Sequence, residues 1–253
     1  MSISRRRFLN RSGWLTAASL GLSPAVKAFE PPKIKPGQTP RNIIHLVSDG
    51  MSPGILSGGD QLSQILRGRG LTWLELYNQP GTVCAMVNMR SLNSLVTDSA
   101  AASSSWGSGS RVVNGALNHL PDGRSLTPLY RLFHEAGWKR GLVTTTEITH
   151  ATPAGFASTS STRDAAESIA QQYLTGKIEV LLGGGQMFFY PNPRRDKRDL
   201  CAAFREQGYA VFATLSELNS APLDRPWLGL FTPSHLPFTI DHMHDADDLA
   251  PPR

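Results

Sequence analysis

Short apolar runs rich in β-branched residues alternate along this chain with amphipathic segments of helical period. Five runs read as strands: 42–48, 82–89, 141–146, 178–182 and 209–213. Four segments read as helices: 98–106, 126–136, 164–174 and 197–208, with Gly137, Gly176 and Gly208 as stop signals. The strands show little polar alternation, as burial on both faces requires. The pattern therefore predicts a mostly parallel sheet with helices on both faces. Such sheets bind ligands beyond the C-terminal ends of their strands, and here polar clusters follow those ends. A length of 253 residues is enough for a substantial core.

The formal net charge of +5 belongs to one end of the chain. Arg5, Arg6, Arg7, Arg11 and Lys27 fall within residues 1–28, which hold no acid; taking these five from 25 basic residues leaves 20, equal to the 20 acidic ones. The body has no electrostatic case for binding nucleic acid. Residues 1–28 join twin arginines and Phe8-Leu9 to a mildly apolar run at 13–22 and a small-residue site ending at Ala28. These are the parts of a twin-arginine export signal, cleaved after Ala28. The apolar run is too short and too polar to span a bilayer, so no stable membrane association is expected once the signal is removed. The mature protein is expected in the periplasm or outside the cell. Residues 29–40 are rich in Pro and Lys and read as a linker, leaving 41–253 as the folded part. An oxidising compartment would allow Cys84 and Cys201 to pair, but spacing does not decide whether they meet.

Three polar segments carry chemistry. Asp49-Gly50 ends the first strand and reads either as a turn or as a carboxylate aimed at a cation. Asp98-Ser99 opens an Ala- and Ser-rich helix; Ser99 reads either as a cap or as a nucleophile whose phosphate the helix N-terminus stabilises. His150 and Thr152 lie two apart, on one side of the chain if the segment is extended. Their nitrogen and hard oxygen suit Mg²⁺ or a transition metal; the alternative is a strand end running into a turn at Pro153. Arg163 alone reads as a solvated charge or an anion clamp.

In order, Ser48-Asp49-Gly50-Met51, Val96-Thr97-Asp98-Ser99-Ala100-Ala101, Asn114-Gly115-Ala116-Leu117, Thr146 through Ala154, and Leu182-Gly183-Gly184-Gly185 resemble the alkaline phosphatase family over about 42–231. The resemblance implies an alkaline-phosphatase-like three-layer α/β/α domain with a mostly parallel central sheet, incomplete in this chain. It also implies hydrolysis of phosphate monoesters through a phosphoserine, with two zinc ions and one magnesium. By position, Ser99 matches the nucleophile and a zinc ligand. Asp98 matches the carboxylate that holds the phosphate-binding arginine, and Arg163 matches that arginine. Asp49 matches the carboxylate bridging zinc and magnesium, Thr152 a magnesium ligand, and His150 a position that is Asp or His at the third metal. A homodimer is among the assemblies it allows. A sulfatase is disfavoured, because Ser99 is followed by Ala-Ala-Ala-Ser rather than Xaa-Pro-Xaa-Arg.

The family's remaining ligands, a Glu, two Asp-His sets and a final His, are not recognisable after Thr232. The Asp and His residues of 241–248 match none of those motifs and read as an exposed acidic turn with a helix start. A serine and a carboxylate cannot hold two zincs, since catalytic zinc takes three protein ligands plus water. The alternative expectation is a non-catalytic remnant that binds phosphate or metal, or that needs a separate C-terminal chain.

Overall fold

A computed structural model describes residues 42–192 and 194–238. The export signal, the linker at 29–40 and the acidic cluster of 241–248 lie outside the described residues. Contacts divide the chain into two compact units, one ending at Met86 and one beginning at Val87.

In the first unit, α1 (Pro53–Arg67) starts where Ser52 Oγ accepts from the Ile55 amide and Pro53 needs no partner for a missing N–H; it stops at Gly68 in the left-handed region. α2 (Thr72–Tyr77) follows. α1 leaves Ile55, Leu62, Ile65 and Leu66 exposed.

The second unit holds α3 (Ser99–Ser108), α4 (Leu129–Glu135), β1 (Gly141–Glu147), α5 (Ala151–Ala157), α6 (Ala166–Gly176), β2 (Val180–Gly184), α7 (Leu200–Glu206), β3 (Ala210–Phe212), α8 (Leu215–Asn219) and β4 (Trp227–Leu230). The fold is a three-layer α/β/α arrangement around a parallel sheet of order β1-β2-β4-β3. The register aligns Leu142, Leu181, Leu228 and Val211 across the sheet. Side chains alternate between sheet faces, so these four share one face. There they join a continuous core with Ile169, Tyr173, Phe189 and Phe204. On the opposite face Phe212 packs edge-on against Trp227 at 6.2 Å between ring centres. Val143, on that same face of the edge strand β1, is 74% exposed. No helix among the described residues is long and apolar enough to cross a membrane.

The start of the sheet is pinned electrostatically. Arg140, 6% exposed, donates from Nε to Glu179 Oε2 at 3.1 Å and from Nη2 to the Lys177 carbonyl at 2.7 Å. Partial burial pushes the Glu179 carboxyl up, but the Arg140 side chain and amide outweigh it and hold the group below its ordinary value.

Three strands and four helices lie where the sequence places them, within a few residues at each end. Two expected strands differ. Residues 42–48 and 82–89 form no ladder among the described residues, and Ile44, Val83 and Val87 are exposed. β-propensity favours an extended backbone, but a strand exists only when a neighbour takes its hydrogen bonds. β4 is not anticipated because Gly229 interrupts its apolar run; an added Cβ there would meet Leu182 Cδ2 at 2.7 Å. Cys84 and Cys201 are both free thiols.

Candidate functional site

The site is assembled at the N-terminus of α3. Asp98 is its N-cap, with Oδ1 accepting from the Ala101 amide at 2.9 Å. Oδ2 accepts from the Gly115 amide at 3.0 Å and from Arg163 Nη1 at 3.1 Å. One carboxylate thus ends the helix, holds the Asn114-Gly115 loop and anchors the guanidinium. Gly115 sits at φ +84° and its carbonyl accepts from the Arg163 amide at 2.6 Å, so the loop grips the arginine backbone as well. Asn114 Oδ1 accepts from the Asp98 amide at 3.1 Å, closing the circuit.

Arg163 has a second partner. Its Nη2 lies 3.0 Å from His150 Nε2. A guanidinium only donates, so His150 Nε2 is the acceptor and the neutral ring carries its proton on Nδ1. Asp98 and His150 therefore orient the guanidinium from two sides, and it keeps further N–H donors for a ligand. Ser99 is the first residue of α3 and is half-buried.

The helices that carry these groups approach closely. Ser103 Oγ on α3 donates to the Ala151 carbonyl on α5 at 2.8 Å. Gly107 faces Gly155 so tightly that a Cβ would lie 2.7 Å from the Gly155 carbonyl carbon. Asn118 Nδ2 donates to the Gly155 and Ser158 carbonyls at 2.6 and 2.8 Å. The crossing fixes the start of α3 relative to His150, the N-cap of α5.

The structure thus unites Asp98, Ser99, Arg163 and His150. Arg163 is an anchored cation, not a solvated charge. His150 and Thr152 do not lie in an extended segment: His150 caps α5 and Thr152 is in its first turn. Asp49 belongs to the first unit, exposed in a turn where the Met51 amide donates to the Ser48 carbonyl at 3.4 Å.

This donor set does not make the expected metal centre. Among the described residues no group of three or more His, Cys, Asp or Glu side chains is gathered to hold a metal ion. His150 Nε2 is turned toward Arg163. The expected zinc- and magnesium-dependent hydrolysis of phosphate monoesters by this chain is therefore corrected. A serine hydroxyl needs a base or a metal to become a nucleophile, and the described residues assemble no metal site beside Ser99. What the site can do is hold an oxyanion, by a guanidinium fork and a helix N-terminus.

Sequence reasoning missed His235. Its Nδ1 accepts from the Glu147 amide at 3.3 Å, and its ring centre lies 5.6 Å from that of His150. The available signal was its place four residues after the apolar stretch that ends at Phe231, where a strand end meets the ligand side of the sheet.

A family model described as alkaline phosphatase matches residues 40–251. The Schizosaccharomyces pombe alkaline phosphatase is 32% identical over 226 residues, which cover 83% of this chain and 41% of that protein. The Streptomyces griseus streptomycin-6-phosphate phosphatase is 31% identical over 221 residues, 78% of this chain and 49% of its own. The crystal structure of Thermus thermophilus alkaline phosphatase superposes with a TM-score of 0.74 at 40% identity, covering 78% of this chain and 41% of that one. The chain spans less than half the length of these relatives. Motif order, sheet and arginine clamp agree with the match, and the chain belongs to the alkaline phosphatase family.

Proposed function

We propose that this chain is the phosphate-holding part of an alkaline phosphatase and is non-catalytic by itself. The observation that carries the reading is Arg163, fixed between Asp98 and His150 beside the α3 N-terminus, in a chain whose described residues gather no metal cluster. Ion-pairing and dipole both favour a phosphate oxyanion there. The two zincs and one magnesium that the resemblance implies would need ligands beyond the described residues, with Ser99, His150 and Thr152 the positions the second unit would add. The signal in residues 1–28 would direct it through the twin-arginine route to the periplasm or outside the cell.

The test is isothermal titration of the purified chain with inorganic phosphate. Saturable binding that Arg163→Ala abolishes supports the reading. No binding, or equal binding by the variant, overturns it.

A further inference from the structure

The segment after β4 does more than leave the sheet. The Thr232 and Ser234 carbonyls accept from the Gly185 amide at 3.0 and 2.9 Å, and the Leu236 amide donates to the Thr145 carbonyl at 2.9 Å. Ser234 Oγ donates to Glu147 Oε1 at 2.7 Å. An added Cβ at Gly184 would meet Thr232 Oγ1 at 2.6 Å, so the strap lies directly on the C-terminal end of β2. These bonds lash residues 232–236 across the strand ends, on the side of the sheet where His150 begins α5.

His235 is held within that strap. The Glu147 amide, a group that can only donate, points at its Nδ1. Nδ1 is therefore unprotonated, and the ring carries its proton on Nε2, away from the backbone. The ring stands nearly edge-on to His150, at 72° and 5.6 Å between centres. His150 in turn receives Arg163. The two imidazoles thus hold opposite tautomers: His150 accepts from the clamp, while His235 presents a donor. Its side chain is exposed, so that donor meets solvent or ligand.

From this geometry we infer that His235 is a binding residue of the anion site, donating from Nε2 to an oxygen of a phosphate group held by Arg163. The inference rests on the phosphate-holding reading and adds a donor from a second element of the fold. A neutral donor suits an oxyanion without adding a charge beside Arg163, and the strap prepays its orientation.

Isothermal titration of the full chain with inorganic phosphate separates the possibilities. Asparagine places its amide oxygen near the Nδ1 position and keeps the Glu147 bond, but it lacks the distal donor. Glutamine places an N–H near the Nε2 position. His235→Ala and His235→Asn are expected to weaken phosphate binding about tenfold, the scale of one hydrogen bond to a charged group. His235→Gln is expected to restore most of it. If His235 serves only to hold Glu147, the Asn variant binds like the wild type and the inference is overturned while the Arg163 reading stands. If the wild-type chain binds no phosphate, both are overturned.

Discussion

The crossing of α3 and α5 offers a test in which two opposing effects can be weighed. Gly107 is inside a helix, where alanine is normally better by about 1 kcal/mol. Here an added Cβ would lie 2.7 Å from the Gly155 carbonyl carbon and 3.2 Å from Phe156 Cα. Both atoms are backbone, so neither can swing aside as a side-chain tip does. Overpacking of this kind costs about 1–3 kcal/mol, and a backbone obstacle places it at the upper end. Subtracting the propensity gain leaves a net loss of about 2 kcal/mol for Gly107→Ala. For a protein of this size that lowers Tm by about 4–8 °C. Gly58 is the control. It too lies inside a helix, α1, but a Cβ there meets nothing within 4 Å. Gly58→Ala should therefore stabilise by about 0.5–1 kcal/mol. Scanning calorimetry of the three purified chains reads both signs. If Gly107→Ala raises Tm as Gly58→Ala does, the helices are not in contact as described, and the positioning of Ser99 against His150 falls with them.

Other expectations follow from single groups. Asp98→Ala removes a helix cap and strands the Gly115 amide, which should destabilise by about 2 kcal/mol in chemical denaturation; Asp98→Asn keeps the cap and should lose about half as much. Burial pushes the Cys201 thiol up to about 11, so at neutral pH Cys84 should react promptly with a thiol reagent and Cys201 only on unfolding; equal rates would contradict the buried position. The Glu179 carboxyl is held below its ordinary value, so its pairing with Arg140 stabilises the fold above the unfolded-state pKa and is lost as pH falls through the lower folded value. Glu179→Gln should accordingly be less stable than wild type at pH 7, with the gap narrowing in acid; a gap that is constant from pH 7 to acid would refute the linkage.

Much of the fold was legible because its signals are local. Glycine stops, the cap at Asp98 and β-branched runs place the four anticipated helices and three of the strands. Residues 42–48 show the limit: Ile43, Ile44 and Val47 specify an extended chain, but pairing depends on a neighbour that local sequence does not name. The site was legible as residue types and not as an arrangement. Taken alone Arg163 reads as a solvated charge or an anion clamp; only the family resemblance ties it to Asp98, and the grip of the Gly115 loop has no local signal. His235 carries only a weak positional signal, because its place depends on a strap closed by the Gly185 amide and Glu147. The expected metal chemistry failed at this same step: motif order gives candidate ligands, whereas a metal site requires several donors converging on one point.

The proposed phosphate-holding chain should not turn over a phosphate ester alone. Hydrolysis of p-nitrophenyl phosphate by the purified chain, with Zn²⁺ and Mg²⁺ supplied, tests it most directly. The expected rate equals that of Ser99→Ala under the same conditions. A zinc-dependent rate clearly above that variant would contradict it.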